Sequence, residues 1–168
     1  GGRVMHMIIR NIVYADSKSE ALSVARQNFE NLCESENTFD YFDTFEGGSS
    51  YWGDKYPEVA LSESRKGRKM IVGGWKATLK DMRRNLKSII KLTQGKKVTE
   101  IMRDIRQNWL QYHFKSVGDY QGESVWLYDH DGEGIKDRKH LDKTLNKWDD
   151  NKDYKGMKVY VVPADVHY

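Results

Sequence analysis

At 168 residues the chain has room for one domain with a proper core. Five Trp, ten Tyr and five Phe offset a lean 38% apolar content, so a packed fold rather than disorder is expected at 32% charged residues. No apolar run approaches the roughly 20 residues that span a bilayer. No signal-peptide pattern is visible, and the single Cys33 excludes an internal disulfide, so a cytoplasmic protein with no membrane partner is the expectation.

The net charge of +3 hides a strong asymmetry. Residues 1–64 carry 5 Lys/Arg against 11 Asp/Glu, residues 65–115 carry 15 against 3, and residues 116–168 carry 8 against 11. A middle third at +12 implies an anionic partner, or packing against the acidic flanks.

In chain order, GGRV (1–4) reads as an expression remnant and the fold begins at Met5. MHMIIRNIVYA (5–15) is apolar and β-branched, which predicts a largely buried strand. Ser17-Lys18-Ser19-Glu20 has capping-box spacing, and Leu22, Ala25, Phe29, Leu32 and Cys33 then recur at helical intervals. TFDYFDTFE (38–46) alternates aromatic and acidic residues, as a second strand would. Residues 47–69 are rich in Gly and Ser and read as a long loop, with PEVAL its only strand-like run. Tyr51, Trp52 and Tyr56 either contact a ligand or pin this loop to the core, and the second reading is favoured because large aromatics usually bury.

A basic helical hairpin is expected over 70–117. Val72, Trp75, Leu79, Met82, Leu86 and Ile89 step by three and four, an apolar stripe; Gly73-Gly74 weakens its start, so the helix is expected from about Trp75 to a stop at Gly95. Val98, Ile101, Ile105, Trp109 and Tyr112 then define one side of a second helix, antiparallel to the first. The last third reads strand (123–129), helix capped by Asp137 (137–148) and strand (157–168). Two β-α-β units, 5–46 and 123–168, flank the hairpin. They predict an α+β class: a four-stranded, mainly antiparallel, ferredoxin-like sheet with helices on one face.

Two segments invite a chemical reading. In WLYDHDGEGIKDRKH (126–140), Asp129, Asp131, Glu133 and Asp137 fall at positions one, three, five and nine of a calcium loop, with Gly134 at the required sixth. The twelfth position is His140 where a bidentate carboxylate belongs, the eighth is Lys136, and a strand leads in instead of a helix. Asp-Gly also suits a tight turn and acids suit a helix N-terminus, so a turn is the leading reading and a Ca²⁺ or Mg²⁺ site the second; no other cofactor is implied.

The other segment is cationic. Lys76, Lys80, Arg83, Arg84, Lys87 and Lys91 occupy an arc of roughly 100° on a helix, about 120° from the apolar stripe. Asp81 is the only acid among them, and a one-sign face forgoes the i,i+4 pairs that stabilise a solvated helix. Arg65 and Lys66 extend the zone at one end, Lys96 and Lys97 at the other. Tyr112 and Phe114 offer stacking faces for bases, with Trp109 expected in the core.

No phosphate-cradling glycine loop and no Cys-x-x-Cys pair occurs. Cys33 lies on an apolar helix side, where an inert thiol is expected, and His6, His113, His130, His140 and His167 are scattered. The leading expectation is therefore a non-enzymatic binding protein that engages nucleic acid, or a nucleoprotein complex, through 65–97. An acidic protein surface could take the same place. The alternatives are a metal-dependent phosphodiester enzyme using Asp129, Asp131 and Asp137, or an inhibitor or adaptor acting through Asp40, Asp43, Glu46 and Asp54.

Overall fold

A computed structural model describes residues 6–48, 52–106, 109–118, 125–135, 137–147 and 152–168. Tyr51 and Lys136 lie outside them, as do residues 1–5 and the start of the expected 123–129 strand.

Strand β1 (His6–Ala15) is buried along nearly its whole length. Its odd positions Met7, Ile9 and Val13 pack with Ala21, Ala25 and Phe29 of helix α1 (Lys18–Glu30). Its even position Ile12 packs with Met70 and Ile71 of helix α2 (Arg65–Thr93) and Leu141 of helix α5 (Arg138–Leu145). Helices therefore cover both faces of the sheet, not one. A strand apolar on both sides without alternation is the sequence signature of that burial.

The capping box forms. The Ser17 hydroxyl accepts from the Glu20 N–H, and the Glu20 carboxylate accepts from the N–H of Asp16. A π-turn (Asn31–Ser35) leads from α1 to strand β2 (Tyr41–Thr44). Within the expected long loop, Ala60–Leu61 forms a short strand β3, and α2 already starts at Arg65. Trp52 and Tyr56 turn inward: Tyr56 packs against Phe45 at 5.2 Å and its ring lies under the Arg10 guanidinium.

The sheet has five strands, not the four expected, and is mixed. Its order is β2-β5-β1-β4, where strand β5 (Lys158–His167) lies antiparallel to β1, and strand β4 (Leu127–Tyr128) parallel to it. β3 pairs with β5 on the same edge as β2, further along. β1 and β2 do form a split β-α-β unit around β5, but β4-α5-β5 joins antiparallel strands, a departure from the ferredoxin plan.

Pro163 sits inside central β5, where a missing N–H normally breaks a ladder. Here it is opposite Arg10, whose own N–H points away to the Trp126 carbonyl. Pro163 thus turns its nitrogen to the other edge, between the stretches that pair with β3 (Tyr160, Val161) and β2 (Ala164 onward).

α2 runs unbroken through Gly73-Gly74, against the expected start near Trp75. The second glycine is there for approach. A Cβ on Gly74 would lie 2.7 Å from Leu127 Cδ2, so only glycine lets the helix axis come this near the sheet. The buried line is Gly67, Met70, Ile71, Gly74, Thr78 and Asn85, about one residue round from the expected apolar stripe; Val72 and Leu86 are exposed. The second expected helix is two, α3 (Val98–Asp104) and α4 (Leu110–Gly118), with Trp109 just before α4 at a left-handed φ of 67°. Val98 and Trp109 are exposed, Trp109 at 75%.

Candidate functional site

Burying the glycine line of α2 turns its cations outward. Lys76, Lys80, Arg83, Arg84, Lys87 and Lys91 are all exposed, as are Arg65, Lys66, Lys96 and Lys97. Among the described residues one ion pair involves the six: Arg84 Nη1 lies 3.3 Å from Asp81 Oδ1. The Trp126 indole N–H also donates to Asp81, at 2.6 Å, so this single acid is held from two sides.

Helix α4 lies along α2, with His113 Nδ1 2.9 Å from Asn85 Oδ1. Between the two runs an open groove of about 460 Å³. Lys80 and Arg84 form its cationic wall, and Tyr112, His113, Trp126 and Tyr168 supply aromatic surface. Positive charge beside flat rings is what a phosphate backbone with accessible bases requires. Of the three aromatics expected to offer stacking faces or core, Tyr112 lines this groove; Phe114 and Trp109 are exposed on the same helical region outside it.

The acidic loop has a structural task. Asp129 is buried at 3% exposure; its Oδ1 accepts from the N–H groups of Asp131 and Glu133, and its Oδ2 lies 2.9 Å from His140 Nε2. Gly132 turns the chain at φ +82°, and Asp137 caps α5 by accepting from the His140 N–H. Asn11 and Asn28 tie the turn to the core: Asn11 donates to the Asp129 carbonyl and Asn28 to that of His130. Asp131, Glu133 and Asp137 surround a shallow depression together with Lys139 and Lys143, so the two lysines already offset part of the acid charge there. The acids named for an adaptor surface, Asp40, Asp43, Glu46 and Asp54, are all exposed, and Glu46 pairs with Arg26.

A family model matches residues 5–168, nearly the whole chain. The chain belongs to the family described as Domain of unknown function (DUF7995). Neither a curated protein nor a solved structure matches it. In this DUF7995 member no helix of the described residues is long and apolar enough to cross a membrane.

Sequence reasoning missed two features of this family member. Trp126 and Tyr168 reach the groove from distant segments, which no local pattern announces. The histidines are not all scattered: the rings of His6 and His167 meet at 3.9 Å, because β1 and β5 pair those two residues directly. The available signal was the alternation Asp165-x-His167 in a strand, which puts both side chains on one face.

His130 gives a pH prediction. Its Nδ1 accepts from the Tyr14 N–H, and burial holds the imidazole below its ordinary pKa of 6.5, overriding the opposing pull of Asp131 and Asp129. Between that depressed value and 6.5 the unfolded chain binds the proton more readily, so this contribution is complete above pH 6.5 and is lost as pH falls below it. Urea midpoints measured from pH 7.5 downward should drop below pH 6.5. The drop should be shallower in His130→Gln, which cannot protonate there.

Proposed function

We propose that the chain is a non-enzymatic binding protein that engages nucleic acid, alone or within a nucleoprotein complex, through the cationic face of α2. The observation that carries this reading is the exposure of six same-sign side chains along one helix, with only Arg84 beside a carboxylate among the described residues. Phosphate neutralisation by such a ridge gives sequence-independent affinity through counterion release. The aromatic surface next to Lys80 and Arg84 favours a strand with unpaired bases, which can stack where a duplex cannot. A reducing, cytoplasmic setting belongs to the same reading, since the single Cys33 is half-buried with its thiol pushed up to about 11 by burial, an inert group.

The test is fluorescence anisotropy with labelled single-stranded and duplex oligonucleotides between 50 and 200 mM salt. Replacing Lys80, Arg83, Arg84 and Lys87 together with Gln is expected to weaken binding at least about tenfold. It should also flatten the log–log salt slope by about 0.7 per lost single-strand phosphate contact. Affinity and salt slope identical in the variant, or no saturable binding by the unaltered chain, would reject the reading.

A further inference from the structure

At the end of the sheet distant from the acidic loop, three strands bring nitrogen and oxygen donors onto one face. His6 on β1 and His167 on β5 are register partners, Asp165 stands two residues before His167, and Asp43 on β2 pairs with Asp165. The face is that of Ile12 and Val161, which α2 covers further along the sheet. His6 Nδ1 lies 3.0 Å from Asp165 Oδ1, and His167 Nε2 lies 3.9 Å from the same oxygen. One ligand atom from each of the three residues falls within 4.8 Å of the others.

We propose that His6, Asp165 and His167 form a binding site for a divalent first-row transition ion of the Zn²⁺ class, with Asp43 in reach as a fourth ligand. Two imidazoles and one carboxylate are a borderline-soft donor set, which suits such ions and not Ca²⁺ or Mg²⁺. Metal–ligand bonds of about 2.0–2.1 Å in a tetrahedral set separate the ligand atoms by about 3.3 Å. The observed spacings bracket that distance, so closure needs side-chain rotation and no strand movement. Asp43 Oδ2 lies 3.9 Å from His167 Nε2, and its side chain is exposed and free to swing in.

Two further observations set this cluster apart from an ordinary buried ion pair. His167 is only 5% exposed, yet among the described residues neither of its ring nitrogens has a hydrogen-bond partner, although buried polar atoms nearly always find one. Ligation through Nε2 supplies one of the two missing interactions. The surroundings also fix the ligands: the Trp52 indole N–H donates to Asp165 Oδ2 at 2.9 Å, and Tyr41 stacks on the His167 ring at 3.8 Å. Outer contacts of that kind orient metal ligands.

The chelator-treated 168-residue chain should be titrated with Zn²⁺ by calorimetry and with Co²⁺ by visible absorption. The expected result is one equivalent bound, with a d–d band for Co²⁺. Binding should weaken at least about tenfold in His167→Gln and in Asp165→Asn, and stay unchanged in His140→Gln, which alters the acidic loop instead. Should His167→Gln fail to fold, His6→Gln carries the test, since His6 is partly exposed at the start of its strand. Absence of saturable binding, binding that survives His6→Gln and Asp165→Asn, or binding lost in His140→Gln would overturn the assignment.

Discussion

Gly67→Ala is expected to destabilise the chain by about 3–4 kcal/mol, an effect larger than most single substitutions produce. A Cβ at this position would stand 1.9 Å from the Leu61 carbonyl oxygen, well inside van der Waals contact, and the obstructing atom is backbone. That carbonyl cannot swing aside, because it accepts both the N–H and the hydroxyl of Ser64. Ser64 in turn caps α2 by accepting from the Gly67 N–H. Relief therefore requires β3 or the first turn of α2 to shift, disturbing the Ala60 and Met70 packing against β5 and β1. Gly73→Ala is the control in the same helix: its Cβ would meet only the flexible end of Arg10, at 3.4 Å. The gain in helix propensity, about 1 kcal/mol, should leave it neutral or slightly stabilised. Chemical denaturation of the two variants side by side separates close approach from propensity.

Asp129→Ala should cost about 3 kcal/mol. Three donors lose their acceptor at once: the N–H groups of Asp131 and Glu133, and the His140 ring. The site is nearly closed to water, so little solvent can replace the carboxylate. Asp129→Asn keeps the Oδ1 acceptor and should fall between the two. Asp131→Ala, at an exposed position with its side chain outside this network, should change stability by no more than about 0.5 kcal/mol. Equal losses at Asp129 and Asp131, present only when millimolar Ca²⁺ or Mg²⁺ is added, would mean that the loop is a cation site and not a turn.

These two cases mark what the sequence could and could not reveal. The acidic stretch announces its turn chemistry locally, since Asp-Gly, a positive φ and a capping Asp137 are all short-range features. The capping box at Ser17 and the long apolar run of β1 were readable for the same reason. Propensity alone argues against a helix through Gly73-Gly74, whereas the value of Gly74 lies in its close approach to Leu127, some fifty residues away. The apolar stripe misled in a related way. Large side chains mark where a helix is greasy, but here the small residues Gly67, Gly74 and Thr78 mark where it touches the sheet. Strand order and the His6–His167 encounter depend on pairing between remote segments, and no local pattern encodes that.

The long β1–β5 ladder has a temporal consequence. Its closest partners, Ala15 and Lys158, are 143 positions apart, and every other pair is more widely separated. A ribosome adding about 5–20 residues per second therefore releases the first strand about 7–30 seconds before its mate exists. Until β5 emerges, β1 can pair only with the two residues of β4, so Met7, Ile9, Ile12 and Val13 lack their long antiparallel partner and the nascent chain is most vulnerable to aggregation in that interval.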